Sequence, residues 1–394
     1  MKKRTRRRTP GKSLTAALAL AVVLALAWMT YQLARGSGGM ENFKVSAAGP
    51  GFADVAPAAW YYESVKTACA CGLVKGTAPD TFSPDGTLTV AEAIVMADRV
   101  HMRYHTGEDT LANGTPWYQP YVDYALAQGL IAEKAYDHYT RPVTRAEMAD
   151  IFSRALPEEE YAVINFLDDG CPADAVGHQY EAPIRQLYRA GILTGSDVFG
   201  TFAPDTNIKR SEAAAILSRL VVPSLRRQVT LLRSWTYDDA VTLAVPYTSV
   251  PGETGAAEAD DALELSDDNS AACVYKSLGV AADQPGMNVL DIPCEAMGAD
   301  LTESLGADQM TATVLTFGSL PAYRYDFTAA PDEETGIAME GSIYVFLREG
   351  DLYMVTVFVL LDGTGTDAQT RVLRQDMVNN VTVDGSGPSV RLGA

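Results

Sequence analysis

Three glutamates, Glu92, Glu147 and Glu212, stand 55 and 65 residues apart and close the same short phrase each time. Two are preceded by threonine at the spacing Thr89-x-x-Glu92 and Thr144-x-x-Glu147. That spacing lets each side chain satisfy a backbone N–H that a helix start leaves unpaired. Lys209 takes the threonine's place before Glu212, so the third box is expected to be broken. Arg145 and Arg210 fall at the start of the same predicted helices. A guanidinium there offers a planar fork of donors matched to a carboxylate, and the helix N-terminus adds partial positive charge. This is the chemistry of anion recognition.

The elements that must position these groups recur with them. Thr-Phe-x-Pro-Asp is written at Thr81–Asp85 and again at Thr201–Asp205, and a worn copy precedes Val143. Gly-Leu-Val, Gly-Leu-Ile and Gly-Ile-Leu begin at Gly72, Gly129 and Gly191. Landmarks repeated in one order mark a tandem repeat of about 60 residues. Each unit reads as an aromatic-acidic entry (Phe52–Val55, Phe166–Asp169), a helix, a glycine suited to the left-handed C-cap, a turn and a second helix. The first helices carry apolar residues three and four apart: Val65, Ala68 and Cys69, then Tyr121, Ala125 and Leu126, then Ile184, Leu187 and Tyr188.

Phe-x-Asp-Val with Trp60, the Gly-[LI]-[LIV]-x-Gly turn, Phe-x-Pro-Asp and Thr-Arg-Ala-Glu together resemble S-layer homology modules over roughly Gly49–Leu225. The resemblance implies three modules in an all-α pseudo-trimer whose grooves bind pyruvylated secondary polysaccharide of Gram-positive-type walls without a covalent bond. It implies glycan-binding roles for Arg210, Arg145, Asp168, Asp54 and Trp60. Val90 departs from the arginine of the motif, the second unit keeps only Trp117 of its entry, and the third has Gly177–Tyr180 where tryptophan is expected. One or two working grooves are therefore expected. The plainer alternative makes the aspartates and glutamates helix caps and the tryptophans core.

The chain of 394 residues carries a formal charge of −19, and the first 35 residues hold eight of its 31 Lys and Arg and no acid. The remainder is strongly acidic, which argues against a nucleic-acid partner. Ser13–Ala34 runs 22 residues without a charge, long enough to span a bilayer. The basic flank before it puts the N-terminus inside and the rest outside. The expectation is an uncleaved signal-anchor, a membrane partner at the N-terminus and a cell-envelope location. No metal-ligand spacing is present among Cys69, Cys71, Cys171, Cys273 and Cys294, and no cofactor or metal is implied. Cys273 and Cys294 are candidates for a disulfide; the other reading makes the cysteines small buried apolar residues.

After Leu225 strand signals replace the repeat: Val241–Val245, Val289–Ile292, Thr311–Phe317 and a hairpin across Ser342–Leu361, with helices at Pro293–Leu305 and Asp367–Val381. Pro251–Ser270 reads as a flexible acidic loop. The fold class expected is multidomain: membrane helix, all-α repeats, then an α+β sandwich weakly similar to PsbP/Mog1-like domains. The expected division is 1–35 flank and anchor, 36–48 spacer, repeats at 49–110, 111–160 and 161–227, and a domain at 228–394. All four histidines precede Val229, so a Ser-His-Asp or Cys-His site wholly inside that domain is impossible. No catalytic residue is assigned. The expected function is display of the last domain on wall polysaccharide. The alternatives are a wall-active enzyme with a carboxylate pair, or a scaffold with degenerate repeats.

Overall fold

The computed structural model describes residues 38–44, 51–167, 170–252, 262–284, 286–333 and 335–390. These form two compact units. The first comprises the described residues up to Asn165, with Gly177–Thr194 and Ala203–Gln228; the second comprises Phe166–Val176, Gly195–Phe202 and Val229 onward.

In the first unit each repeat gives two helices: α1 (Tyr62–Ala70) and α2 (Val90–Thr106), α3 (Gln119–Gln128) and α4 (Arg145–Ser153), α5 (Glu181–Arg189) and α6 (Arg210–Val221). Gly72, Gly129 and Gly191 follow the first helices with φ of 71°, 73° and 68°, the left-handed conformation that ends a helix. Thr89 with Glu92 and Thr144 with Glu147 make complete capping boxes. In the third repeat Glu212 still accepts from the Lys209 amide at 2.9 Å. An ammonium has no lone pair to return the bond, so only that half survives.

The repeated phrase is explained by what its apolar residue does. The Leu88 amide donates to the Ile208 carbonyl (3.1 Å), Ile208 donates to Val143 (3.3 Å), and Val143 donates to Leu88 (2.9 Å). Three backbone bonds thus close a ring, and all three side chains are fully buried. Burying each contributes roughly 1.5–3 kcal/mol. The next turn repeats the pattern: the amides of Val90, Arg145 and Arg210 donate to the carbonyls of Arg141, Thr206 and Gly86 at 2.8–3.0 Å. Each second helix therefore has its first orphan donor satisfied by a different repeat.

The second unit holds two antiparallel sheets. One has the order β1-β2-β10, from Leu232–Tyr237, Val241–Pro246 and Thr382–Val383. The other has the order β11-β6-β7-β8-β9-β5-β4-β3, from β3 (Val250–Pro251), β4 (Ala262–Ser266), β5 (Ser270–Ser277), β6 (Gln309–Phe317), β7 (Leu320–Ala329), β8 (Ala338–Arg348), β9 (Asp351–Leu361) and β11 (Pro388–Val390). Helices α7 (Cys294–Leu305) and α8 (Asp367–Asn379) complete it. Alternate residues of β9 serve different clusters. Tyr353, Val355 and Val357 pack with Met377 and Val378 of α8, while Met354 and Phe358 pack toward Tyr325 and Phe327 of β7. The β8–β9 hairpin turns through Glu349 and Gly350, both at positive φ, as a two-residue turn requires.

The expected sequence of membrane helix, all-α pseudo-trimer and α+β sandwich is corrected. Among the described residues there are eight α-helices and two antiparallel sheets in the C-terminal part, and no helix is long and apolar enough to cross a membrane. Ser13–Ala34 lies outside the described residues. The repeats are not joined by helix packing alone, because extended segments close the backbone ring. Val289–Asp291 is a 3-10 turn rather than a strand, and Ala262–Ser266 is a strand within the stretch expected to be a loop. No disulfide joins any of the five cysteines, so the Cys273–Cys294 bond is not formed. Cys273 is instead a buried strand residue whose thiol burial pushes up to about 11.

Candidate functional site

A cavity of about 390 Å³ opens in the first unit between α2 and α3. Its wall combines Lys75, Thr77, Glu92, Arg99, Trp117 and Arg210, so all three repeats contribute. Gly76 sits in that wall because a Cβ there would lie 2.6 Å from both the Ala78 carbonyl oxygen and a Phe52 ring carbon.

Arg210 starts α6 and reaches into repeat one. Its Nε donates to the Phe82 carbonyl at 2.9 Å and its Nη2 to the Lys75 carbonyl at 2.7 Å. Nη1 lies 3.5 Å from Oε1 of Glu92, and the guanidinium carbon is 5.0 Å from the Phe82 ring centroid. Burial lowers the pKa of Arg210, against the pull of Glu92. The guanidinium thus closes the groove floor, and one edge of its fork is occupied by protein carbonyls.

Arg145 starts α4 and makes the matching reach, its Nη1 donating to Oε1 of Glu212 at 2.9 Å. At the third junction Val90 has no charge to offer Glu147. Arg141 takes that carboxylate, through Nη1 to Oε2 at 2.9 Å and Nη2 to Oε1 at 2.6 Å.

Asp54 is not at the bottom of the groove. Its oxygens accept from the amides of Phe82 (2.8 Å) and Ser83 (2.7 Å), and Ser83 is held at a φ of 59°. Burial opposes the charge of Asp54, but those amides outweigh it and its pKa is lowered. The aspartate therefore fixes the turn that presents the Phe82 carbonyl to Arg210. Asp168 lies outside the described residues. Asp174 makes the contact that Asp54 makes, accepting from the Phe202 amide at 3.1 and 3.0 Å. Both aspartates precede their phenylalanine by 28 positions, an interval already visible in the sequence.

Trp60 is 66% exposed and Trp117 is 41% exposed, so neither is core. Each stands edge-on to the next tyrosine, with centroids 5.4 and 5.6 Å apart. Lys75 and Arg141 were not among the sequence candidates. Lys75 occupies the variable position of its Gly-x-x-x-Gly turn, and nothing in the local sequence singles out Arg141.

An S-layer homology domain model matches residues 51–94 and 173–214. The chain carries S-layer homology domains in repeats one and three. The second match begins at Ala173, beside Asp174 and beyond Asp168. The surface-layer 125 kDa protein of Lysinibacillus sphaericus is 28% identical over 114 residues, covering 27% of this chain and 10% of that protein. Cell surface glycoprotein 1 of Acetivibrio thermocellus is 28% identical over 162 residues, covering 37% of this chain and 7% of that protein. The chain thus spans about a tenth or less of these curated relatives. Two solved structures resemble 39% of the chain: cyanobacterial PsbP from Synechocystis at 12% identity and the Ran-binding protein Mog1p of Saccharomyces cerevisiae at 13%, each with a TM-score of 0.27. They cover 92% and 96% of those chains. At that score neither likeness bears on what the second unit does.

The second unit has its own cavity of about 430 Å³, which gathers Asp308, Glu340 and Asp367. Asp308 accepts from the Ala330 amide, and Glu340 pairs with Arg371 at 2.8 Å.

Proposed function

We propose that the S-layer homology repeats attach this protein non-covalently to cell-wall polysaccharide, and that the C-terminal domain is displayed outside the cell in the envelope of a Gram-positive-type bacterium. The observation that carries this reading is the groove in which Arg210, Lys75 and the exposed ring of Trp117 meet. A flat ring suits a sugar face, and cations beside it suit a ligand that carries carboxylate. Pyruvylated glycan is the ligand proposed, since its ketal supplies that carboxylate. Arg145, Trp60 and the turn held by Asp54 are proposed to serve the neighbouring grooves in the same way, with Asp174 in the role first given to Asp168. The proposed division keeps three repeats at 49–110, 111–160 and 161–227, followed by a domain at 228–394.

The test is sedimentation of the purified full chain with isolated Gram-positive walls, before and after chemical removal of the secondary polymer and after selective removal of pyruvate. Binding that survives removal of the polymer would sink the polysaccharide reading. Binding that needs the polymer but not pyruvate would sink the pyruvate assignment alone.

A further inference from the structure

We propose that the open edge of strand β6 is a docking surface for a second copy of this chain, the two β6 strands pairing antiparallel so that the larger sheet continues from one copy into the next. The inference concerns the second unit alone and does not depend on the polysaccharide reading of the repeats.

β6 is paired along its whole length with β7 on one side, from Gln309 opposite Thr328 to Phe317 opposite Leu320. On the other side β11 covers only Leu315, Thr316 and Phe317. Among the described residues nothing pairs with the outer edge of Gln309–Val314. In an antiparallel strand every second residue turns its N–H and C=O to the same side, so these six residues present roughly three donors and three acceptors in a row. Successive side chains point to opposite faces, yet Thr311 and Ala312 are both exposed. The strand is therefore open on both faces at that point as well as along its edge, and an added strand has room.

This edge lacks what usually protects one. Edge strands are blunted by charge, proline, shortness or a bulge. β3, at the far end of the sheet, is two residues long and includes Pro251, and β11 begins with Pro388. Gln309–Phe317 contains no charged residue, no proline and no glycine. The nearest charges on β7, Asp326 opposite Thr311 and Arg324 opposite Thr313, are paired with each other at 3.0 Å. That neutrality selects the partner. The chain carries a formal charge of −19, so contact between most surfaces of two copies brings like charges together. Strand β6 laid on strand β6 brings none together. Antiparallel pairing over the whole open stretch puts Gln309 opposite the second copy's Val314, Met310 opposite its Thr313 and Thr311 opposite its Ala312. A two-fold axis repeats the same three pairs, as an isologous contact requires. Threonine and valine suit cross-strand pairs of this kind. The contact is small, and holding copies side by side on one surface raises the effective concentration at which it forms.

The experiment is sedimentation velocity of the purified full chain in density-matched detergent over a range of concentrations, with hydrogen exchange of the same samples. The parent should show a monomer–dimer equilibrium, and the amides of Gln309–Val314 should exchange more slowly at high concentration than at low. Thr311→Lys and Ala312→Lys, both at exposed positions, should each weaken the dimer by about tenfold, because a lysine on the edge must be brought against the second copy. Val250→Lys places the same charge on the opposite edge, where Val250 is 60% exposed, and should leave the equilibrium unchanged. Removal of residues 391–394 should not weaken the dimer. A parent that stays monomeric throughout would overturn the proposal. So would a dimer that survives both β6 variants undiminished, as one formed through the apolar stretch Ser13–Ala34 would. A parent that dimerises only after residues 391–394 are removed would give the edge to the chain's own tail and overturn it as well.

Discussion

Nη2 of Arg210 donates to the carbonyl oxygen of Lys75 at 2.7 Å, across 135 positions of sequence. The bond ties the start of the last repeat helix to the turn that follows the first. Arg210 is therefore a staple of the first unit as well as a wall of its groove.

Arg210→Ala should destabilise the protein by about 1–3 kcal/mol for each buried acceptor left without a donor. Arg210→Lys should recover only part of this, since one ammonium cannot reach the Phe82 and Lys75 carbonyls in the same plane. Urea unfolding of the full chain measures both. An unchanged midpoint in Arg210→Ala would mean that water replaces the guanidinium at no cost.

Asp54 and Asp174 should respond alike to substitution. Asn at either position keeps one acceptor and loses the charge that strengthens the bonds to the amides of Phe82, Ser83 or Phe202. A loss of about 1 kcal/mol is expected for each, together with weaker wall binding, because the turn bearing Phe82 loosens. Thermal melting of the two single variants checks the equivalence. A large effect at one and none at the other would break it.

Asp98 gives the first unit a pH dependence. It is fully buried in α2, and among the described residues neither carboxyl oxygen has a hydrogen-bond partner. Burial pushes its pKa up to about 8; Asp109 adds to the shift and Arg99 opposes it. An unfolded aspartate titrates near 3.9, so between these values the folded state holds a proton that the unfolded state has released. Stability from this group is fully present below the lower value and is lost as pH rises through the upper one. His101, whose pKa burial and then His105 lower to about 4, acts in the opposite direction only below its unfolded value near 6.5. The melting temperature should therefore fall between pH 6.5 and 8. Ser153 and Ser218 stand at the matching places of the other repeats and donate to the carbonyls of Asp150 and Ala215. Asp98→Ser should flatten the fall, and a slope that persists in that variant would place its source elsewhere.

Trp60→Ala and Trp117→Ala should separate binding from stability. Both rings are exposed, so little packing is lost on truncation. Melting temperatures should stay within about a degree or two of the parent, while retention on walls falls. Stability losses as large as those of a core aromatic, about 3–5 kcal/mol, would return the rings to a structural role.

The sequence by itself determined the repeat, its capping boxes and its helix-ending glycines, because these depend on residues a few positions apart. Thr89 and Glu92, Thr144 and Glu147, and Gly72, Gly129 and Gly191 act within one turn of backbone. The β8–β9 hairpin was legible for the same reason: its turn, Glu349-Gly350, lies between two β-rich runs. Partners separated by 55 to 135 positions were not legible. Which glutamates Arg210 and Arg145 face depends on the backbone ring of Leu88, Val143 and Ile208. A cation in the motif implies only that a carboxylate is needed. The ring decides which repeat brings it.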